Sequence, residues 1–271
     1  MNARSWQLSP LALLIIVLTC GAALAVPPVP AREQRPKLDV PYVPTPTAVL
    51  DKMFEFAAPT KDDYLVDLGC GDGRIPVAAA QRFGTRGLGV DIDPQRIREA
   101  NENAELANVT DKVSFRVANL FDTKISDATI LTLYLLPNIN LELRPRILQE
   151  LKPGTRVVSH DFDMRGWEPD RVERVGTSKT VYMWIVPAKA EGTWSVSGDN
   201  GTFTLTLKQS FQKITGEATI DGQTVALRDP QLAGQRISFE LPGKDGQSTR
   251  YEGLINENMI QGQNWQAKPV T

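Results

Sequence analysis

Residues 65–73 read Leu-Val-Asp-Leu-Gly-Cys-Gly-Asp-Gly. An apolar run ends near a carboxylate, Asp67, and Gly69, Gly71 and Gly73 follow at alternate positions. Glycines so spaced let a backbone turn tightly and approach a ligand with no Cβ in the way. The helical pattern from Arg74 to Phe83 would aim free N–H groups back at that turn, where they can receive an anion or a polar ligand tail. A second carboxylate, Asp91, follows about twenty residues later, where an acid can accept hydrogen bonds from both hydroxyls of a ribose. Asp67 narrows the class of nucleotide-type ligand. Its charge would repel a diphosphate and attract an amino group, which argues against a nicotinamide dinucleotide. A glycine turn that only joins strand to helix is the plainer alternative, and the paired acids weigh against it.

A second group of residues could handle another reactant. Ligands of open α/β sheets sit outside the C-terminal strand ends, and two such ends carry polar side chains. One is Leu133-Tyr134-Leu135-Leu136-Pro137-Asn138, the other Ser159-His160-Asp161-Phe162-Asp163. Tyr134 and Asn138 can line a pocket, or Tyr134 can sit in the core as a strand-end aromatic. His160 is the single histidine of the chain. An imidazole that titrates near neutrality can take a proton from an acceptor, or it can close a hydrogen bond at the sheet edge. Asp161 and Asp163 would orient it or meet a cationic substrate. Trp167 and Trp184 either shape a pocket or fill a core. One histidine without a cysteine cluster offers no zinc ligand set, and no metal site is expected. Cys70 has no paired histidine or second thiol nearby and reads as a small residue packed under the turn.

These residues need a scaffold that alternates strands and helices. Strands are expected at 64–68, 87–91, 113–118, 128–134, 156–160, 171–175 and 181–186, with helices at 47–57, 74–83, 94–108 and 141–151. Their apolar, β-branched character suits interior strands buried on both faces. The pattern predicts a doubly wound, Rossmann-like α/β domain over 41–189 with a seven-stranded, mostly parallel sheet. Before it, Tyr42-Val43-Pro44-Thr45-Pro46 runs into the first helix, with Thr45 as its cap and Pro46 at its first position. From about residue 190 short alternating strands and frequent glycines replace the helical rhythm. Residues 190–271 read as a small antiparallel β domain, either a curled sheet or barrel or a single sheet covering the first domain.

Val66-Asp67-Leu68-Gly69-Cys70-Gly71-Asp72-Gly73 resembles the first motif of the class I S-adenosylmethionine-dependent methyltransferases. Gly89-Val90-Asp91-Ile92-Asp93 is similar to their second, and Ala118-Asn119-Leu120-Phe121-Asp122 falls at their third, with Asn119 where an acid is usual. The resemblance implies S-adenosylmethionine as cofactor. Asp67 would lie near its methionine end, Asp91 on the ribose and Asn119 by the adenine, with Ile92 and Leu120 completing the cofactor set that the resemblance implies. Tyr42-Val43-Pro44-Thr45-Pro46 and Gly71-Asp72-Gly73-Arg74 resemble a bacterial group related to protein-lysine methyltransferases without a SET domain. That likeness implies a lead-in segment lying over the cofactor and a lysine amine as methyl acceptor. The Asn/Asp-Pro-Pro-aromatic sequence of nucleobase and glutamine amino methyltransferases is missing after the fourth strand.

Composition sets the remaining bounds. A chain of 271 residues with 41% hydrophobic residues holds one α/β domain and a smaller unit. A formal net charge of -2, without a dense Lys/Arg run, gives no case for a nucleic-acid partner. Residues 1–25 carry an apolar Leu11–Leu18 stretch and Ala23-Leu24-Ala25, the pattern of a signal peptide that engages the membrane during export. Cleavage would leave Val26 first and a periplasmic or secreted protein with a Pro-rich linker over 26–40. An uncleaved inner-membrane anchor and lipidation at Cys20 are the alternatives. Export leaves two functions open: a methyltransferase of unknown acceptor, and a non-catalytic binding protein whose β domain recognises a lipid, an envelope component or a protein.

Overall fold

The computed structural model describes residues 42–242 and 247–270. The expected leader at 1–25 and linker at 26–40 lie outside the described residues. The first sheet comprises β1 (Tyr64–Leu68), β2 (Arg86–Asp91), β3 (Val113–Val117), β4 (Ile130–Leu133), β5 (Arg156–His160), β6 (Arg171–Val175) and β7 (Lys179–Ile185). Their order is β3-β2-β1-β4-β5-β7-β6. β1 to β5 run parallel, and β7 is antiparallel to both β5 and β6. The chain winds outward from β1 to β3 and returns to place β4 on the other side of β1. That reversal opens a crevice at the C-terminal ends of β1 and β4, where such sheets bind ligands.

Four helices build the layers: α1 (Thr47–Ala57), α2 (Arg74–Phe83), α3 (Pro94–Leu106) and α4 (Pro137–Glu150). Strand side chains alternate between the faces, and both faces are covered. On one, α1 and α2 bury Leu65, Ile130, Val158, Val181 and Met183. Towards β3 on that face, α2 and α3 bury Val113 and Phe115. On the other, α4 covers Val66, Leu68, Leu131, Leu133 and Val157, beside Trp167 and Trp184. Both tryptophans are therefore core residues.

Two helix starts differ from the sequence expectation. Pro46, in extended conformation, is the N-cap of α1, and no side chain caps that helix. Thr45 is turned away to another partner. α4 begins at Pro137 rather than Leu141, because proline suits the first helical position, where its missing N–H is not needed.

The second sheet is wholly antiparallel. Its strands are β8 (Gly192–Gly198), β9 (Gly201–Ser210), β10 (Lys213–Ile220), β11 (Gln223–Ala226), β12 (Arg228–Ala233), β13 (Arg236–Pro242), β14 (Ser248–Asn256), β15 (Met259–Gly262) and β16 (Trp265–Pro269). The order is β11-β10-β9-β8-β16-β15-β14-β13-β12. Its two ends approach each other, β12 against β10, so the sheet curls into a near-barrel. Trp194, Val196, Leu205, Ile237, Phe239 and Ile260 fill the inside. The two sheets belong to one compact unit. Phe211, at the turn after β9, stacks on Trp167 with ring centroids 6.0 Å apart.

Candidate active site

A cavity of about 220 Å3 occupies the crevice beyond β1, β2 and β4. Asp67, Gly69, Gly71, Asp91, Ile92, Asn119, Leu120 and Tyr134 line it together. Gly73, Asn138, His160 and Asp161, also singled out by sequence, lie outside the lining. Gly73 is the left-handed N-cap of α2, packed against Phe115 and Ala100. Asn138 is exposed on the first turn of α4.

The turn after β1 is tied to the end of β2. Asp91 accepts the Gly71 N–H at 3.0 Å through one oxygen and the Asp93 N–H at 2.9 Å through the other. Lone pairs remain on both oxygens for a ligand hydroxyl. Asp93 caps α3 by accepting from the Gln95 N–H at 2.8 Å. Asn119 uses its amide oxygen to accept the Phe121 N–H at 3.0 Å, which leaves that oxygen one lone pair for an adenine amino group.

Asp67 is almost completely buried. Its Oδ1 accepts the Thr132 hydroxyl at 2.7 Å, while its Oδ2 has no partner. Burial pushes its carboxyl up to about 7, the charges of Asp91 and Asp72 add to this, and the Thr132 bond acts the other way. A buried oxygen without a partner is costly. A ligand ammonium would satisfy both its hydrogen-bonding capacity and its charge. Cys70, packed with Val77, Ile97 and Phe115, has its thiol pushed up first by burial and then by Asp67 and Asp91. It is no nucleophile at neutral pH.

A strap formed by Tyr42 to Thr45 also lines the cavity. The Tyr42 ring lies against the backbone of Gly71, where an added Cβ would come within 2.6 Å of it, and φ there is +53°. Arg96 stacks on the same ring at 4.4 Å. Arg74 donates to the Thr45 carbonyl at 3.1 Å and to both Asp72 oxygens, at 2.9 and 2.6 Å. Burial works against the Asp72 carboxylate, yet bonding to Arg74 holds its pKa below the usual range. The Asp72–Arg74 clasp was not assigned a role from sequence, since nothing local tells that it grips a segment preceding α1.

At the other end the walls are Tyr134, Leu136, Ile139 and Phe162 together with Pro44 and Thr45. The Tyr134 ring stacks on His160 with centroids 3.7 Å apart. His160 is fully buried behind it, and its Nδ1 lies 3.3 Å from the Thr45 hydroxyl. Its Nε2 has no hydrogen-bond partner, and the Asp161 carboxylate is 3.5 Å away. Burial lowers the imidazole to about 4, Lys179 contributes, and Asp161 opposes the shift. The expectation that His160 meets an acceptor has no direct path in this geometry, because Tyr134 stands between it and the cavity. Asp161, at φ +66°, accepts from Lys179 Nζ at 2.6 Å and from the Thr180 N–H at 3.0 Å. Lys179 also donates to the Tyr134 hydroxyl at 3.3 Å. Asn140, unremarked in the sequence, donates to Ser159 Oγ at 3.2 Å and the Phe162 carbonyl at 3.1 Å. It thereby fixes the loop that presents Phe162.

Known proteins resemble this chain over much of the first domain. Residues 67–171 match the family described as the ANTKMT methyltransferase domain. A protein-lysine N-methyltransferase of Saccharolobus islandicus is 48% identical over 151 residues, which cover 54% of this chain and 94% of that protein. The chain belongs to the class I S-adenosylmethionine-dependent methyltransferases. Adenine nucleotide translocase lysine N-methyltransferase of Mus musculus is 29% identical over 185 residues, covering 66% of this methyltransferase and 79% of that protein. A crystal structure from Salinibacter ruber, described as an RNA methyltransferase in complex with S-adenosyl-L-homocysteine, aligns with a TM-score of 0.53 at 50% identity. It covers 54% of this methyltransferase and 95% of that chain. The enzyme therefore uses S-adenosylmethionine, and the unpartnered Asp67 oxygen, the glycine turn and Asp91 offer groups that fit it. The family match ends before the near-barrel begins.

Proposed function

We propose that this methyltransferase acts on protein, with a lysine side-chain amine as acceptor. The observation that supports this reading is the apolar, aromatic acceptor end of the cavity, walled by Tyr134, Phe162, Leu136, Ile139 and Pro44. Such surroundings lower the pKa of an amine, so that a lysine can attack as the neutral nucleophile. The faces of Tyr134 and Phe162 also suit the methylated ammonium that results. The names of the Saccharolobus and mouse relatives point the same way.

In this reading S-adenosylmethionine supplies an electrophilic methyl group on its sulfonium. Asp67 Oδ2 would accept from the ammonium of the cofactor, and Asp91 would accept from the ribose hydroxyls. Asn119, Leu120 and Ile92 would border the adenine, and Gly69 and Gly71 would let the backbone come close. The chain contributes alignment and exclusion of water more than proton chemistry. His160 supports the Tyr134 ring from behind, and Asp161 holds Lys179 on the Tyr134 hydroxyl. Both act as positioning residues.

The Salinibacter description raises RNA as the competing acceptor. A net charge of -2 disfavours it. Incubating the protein with tritiated S-adenosylmethionine and envelope extract distinguishes them. Protease-sensitive label, with 14-Da increments on lysine, supports the reading. Label removed by ribonuclease overturns it. Nothing in the cavity favours the non-catalytic binding reading. We also infer export to the periplasm or medium, on the sequence of residues 1–25. Intact mass should then begin at Val26, and retention of the leader would point to an anchor instead.

A further inference from the structure

The near-barrel carries a cavity that methyl transfer leaves unused. It measures about 290 Å3 and opens where three segments of the second sheet converge. These are the turn between β8 and β9 with Asn200, the turn Gln263–Asn264 between β15 and β16, and residues 250–252 of β14. Phe203, Tyr251 and Trp265 make its apolar wall. Tyr251 meets Phe203 and Trp265 edge to face, each at 5.5 Å between centroids. Trp265 donates its indole N–H to the Glu252 carbonyl at 3.1 Å. The indole lies so close over Gly262 that a Cβ at that residue would fall within it. The platform is thus set by backbone as well as by packing. Asn200, Gln263 and Asn264 stand exposed at the lip. Arg250 and Glu252 complete the lip as an ion pair at 2.7 Å.

Elimination narrows the ligand. An acyl chain needs a hollow barrel, but Leu205, Ile237, Phe239, Ile260 and Ala267 fill this one and are buried. A peptide that binds as an added strand needs a free sheet edge. The cavity lies on β8, β9, β14 and β16, and none of these is an edge strand. An anion calls for an unneutralised cation, whereas Arg250 is already near Glu252, Glu240 and Asp229. A neutral ligand with one apolar face and several hydroxyls remains. Carboxamides both donate and accept, as vicinal hydroxyls require, and an aromatic face packs against the C–H side of a sugar ring. We propose that this cavity is a saccharide-binding site, with Trp265 as the platform and Asn200, Gln263 and Asn264 reading the hydroxyls.

The test uses the full chain. It is first applied to an array of neutral glycans, then titrated by calorimetry with cellohexaose, chitohexaose and maltohexaose. At least one should bind saturably with Kd below about 1 mM and change tryptophan fluorescence. Trp265→Ala should abolish binding. Gln263→Ala, on an exposed turn, should weaken it about tenfold even if the tryptophan variant fails to fold. Cofactor affinity should be unchanged in the glutamine variant. The proposal is overturned if no neutral glycan binds, if only anionic glycans bind, or if Gln263→Ala and a folded Trp265→Ala both bind as tightly as the parent.

Discussion

Asp67 and His160 are both buried towards the C-terminal ends of β1 and β5, with β4 between them, and each is held towards its neutral form. For Asp67, burial first and then Asp91 and Asp72 raise the carboxyl to about 7. The folded chain therefore holds a proton there that the unfolded chain releases near pH 4. Its contribution to stability falls as pH rises from about 4 to 7, and above 7 the buried charge costs on the order of a few kcal/mol. His160 acts in the opposite direction. Its lowered value, about 4, means that acid destabilises the fold as the unfolded imidazole takes a proton below about 6.5. A wild-type pH–stability curve mixes the two, so variants are needed. Asp67→Asn should raise Tm by several degrees at pH 8 and leave it nearly unchanged at pH 4, by calorimetry. The same change should weaken S-adenosylmethionine binding at least tenfold at pH 8. In the wild type, affinity should improve about tenfold per pH unit up to pH 7, because only the carboxylate pairs with the cofactor ammonium. A cofactor Kd that stays flat from pH 5.5 to 7.5 would remove Asp67 from that role.

The elements show which parts of this site local sequence discloses. The glycine turn, both acids and the strands around them were legible because each signal is local: a period, a turn residue, a charge at a strand end. The strap was not. Thr45 followed by Pro46 has the local form of a helix cap, yet its hydroxyl meets His160, 115 residues away. No neighbouring residue signals that pairing. Likewise β12 contains Pro230, and a proline weakens the local signal of a strand. An edge strand tolerates that proline because one of its sides needs no ladder bond, and β12 is an edge. How deeply His160 lies was equally hidden, since depth depends on where Tyr134 folds. The strap itself gives the prediction for this scale. Thr45→Val keeps the shape and removes one hydrogen bond, worth about 1 kcal/mol. Cofactor release, followed by stopped-flow fluorescence, should speed up about fivefold, while Tm moves little. Arg74→Ala loses the grip on the Thr45 carbonyl as well and should release the cofactor faster still. Equal release rates in parent and both variants would mean that the strap does not retain the cofactor.

At the scale of the molecule, the question is whether the near-barrel is fused to the cofactor domain or merely attached to it. The contacts favour fusion. No helix lies between β5 and β6, so the flank of the first sheet beside Trp167 and Trp184 is covered from elsewhere. Phe211 fills that place, flat on Trp167 at 6.0 Å and facing the Arg144 guanidinium at 5.6 Å. Arg144 in turn donates to the Met164 carbonyl at 2.6 Å. Gln212 reaches the Glu168 carbonyl at 2.5 Å, and Lys213 pairs with the Glu168 carboxylate. The connecting segment is bonded as well: Gln209 accepts from the Ala190 N–H at 2.7 Å and donates to the carbonyls of Ala188 and Phe211 at 2.9 and 2.7 Å. A joint so made should unfold with both sheets in one cooperative step. Phe211→Ala leaves Trp167 without its cover and should cost about 2 kcal/mol, which lowers Tm by roughly 4–8 °C in a protein of this size. Cofactor affinity should not change, because Phe211 lies outside the cavity lining. Removing residues 190–271 should go further and leave an apolar flank that aggregates. Calorimetry and light scattering decide the matter: a truncated chain that stays monomeric with an unchanged Tm would show that the two units are independent, and that the stacked rings at their junction contribute no stability.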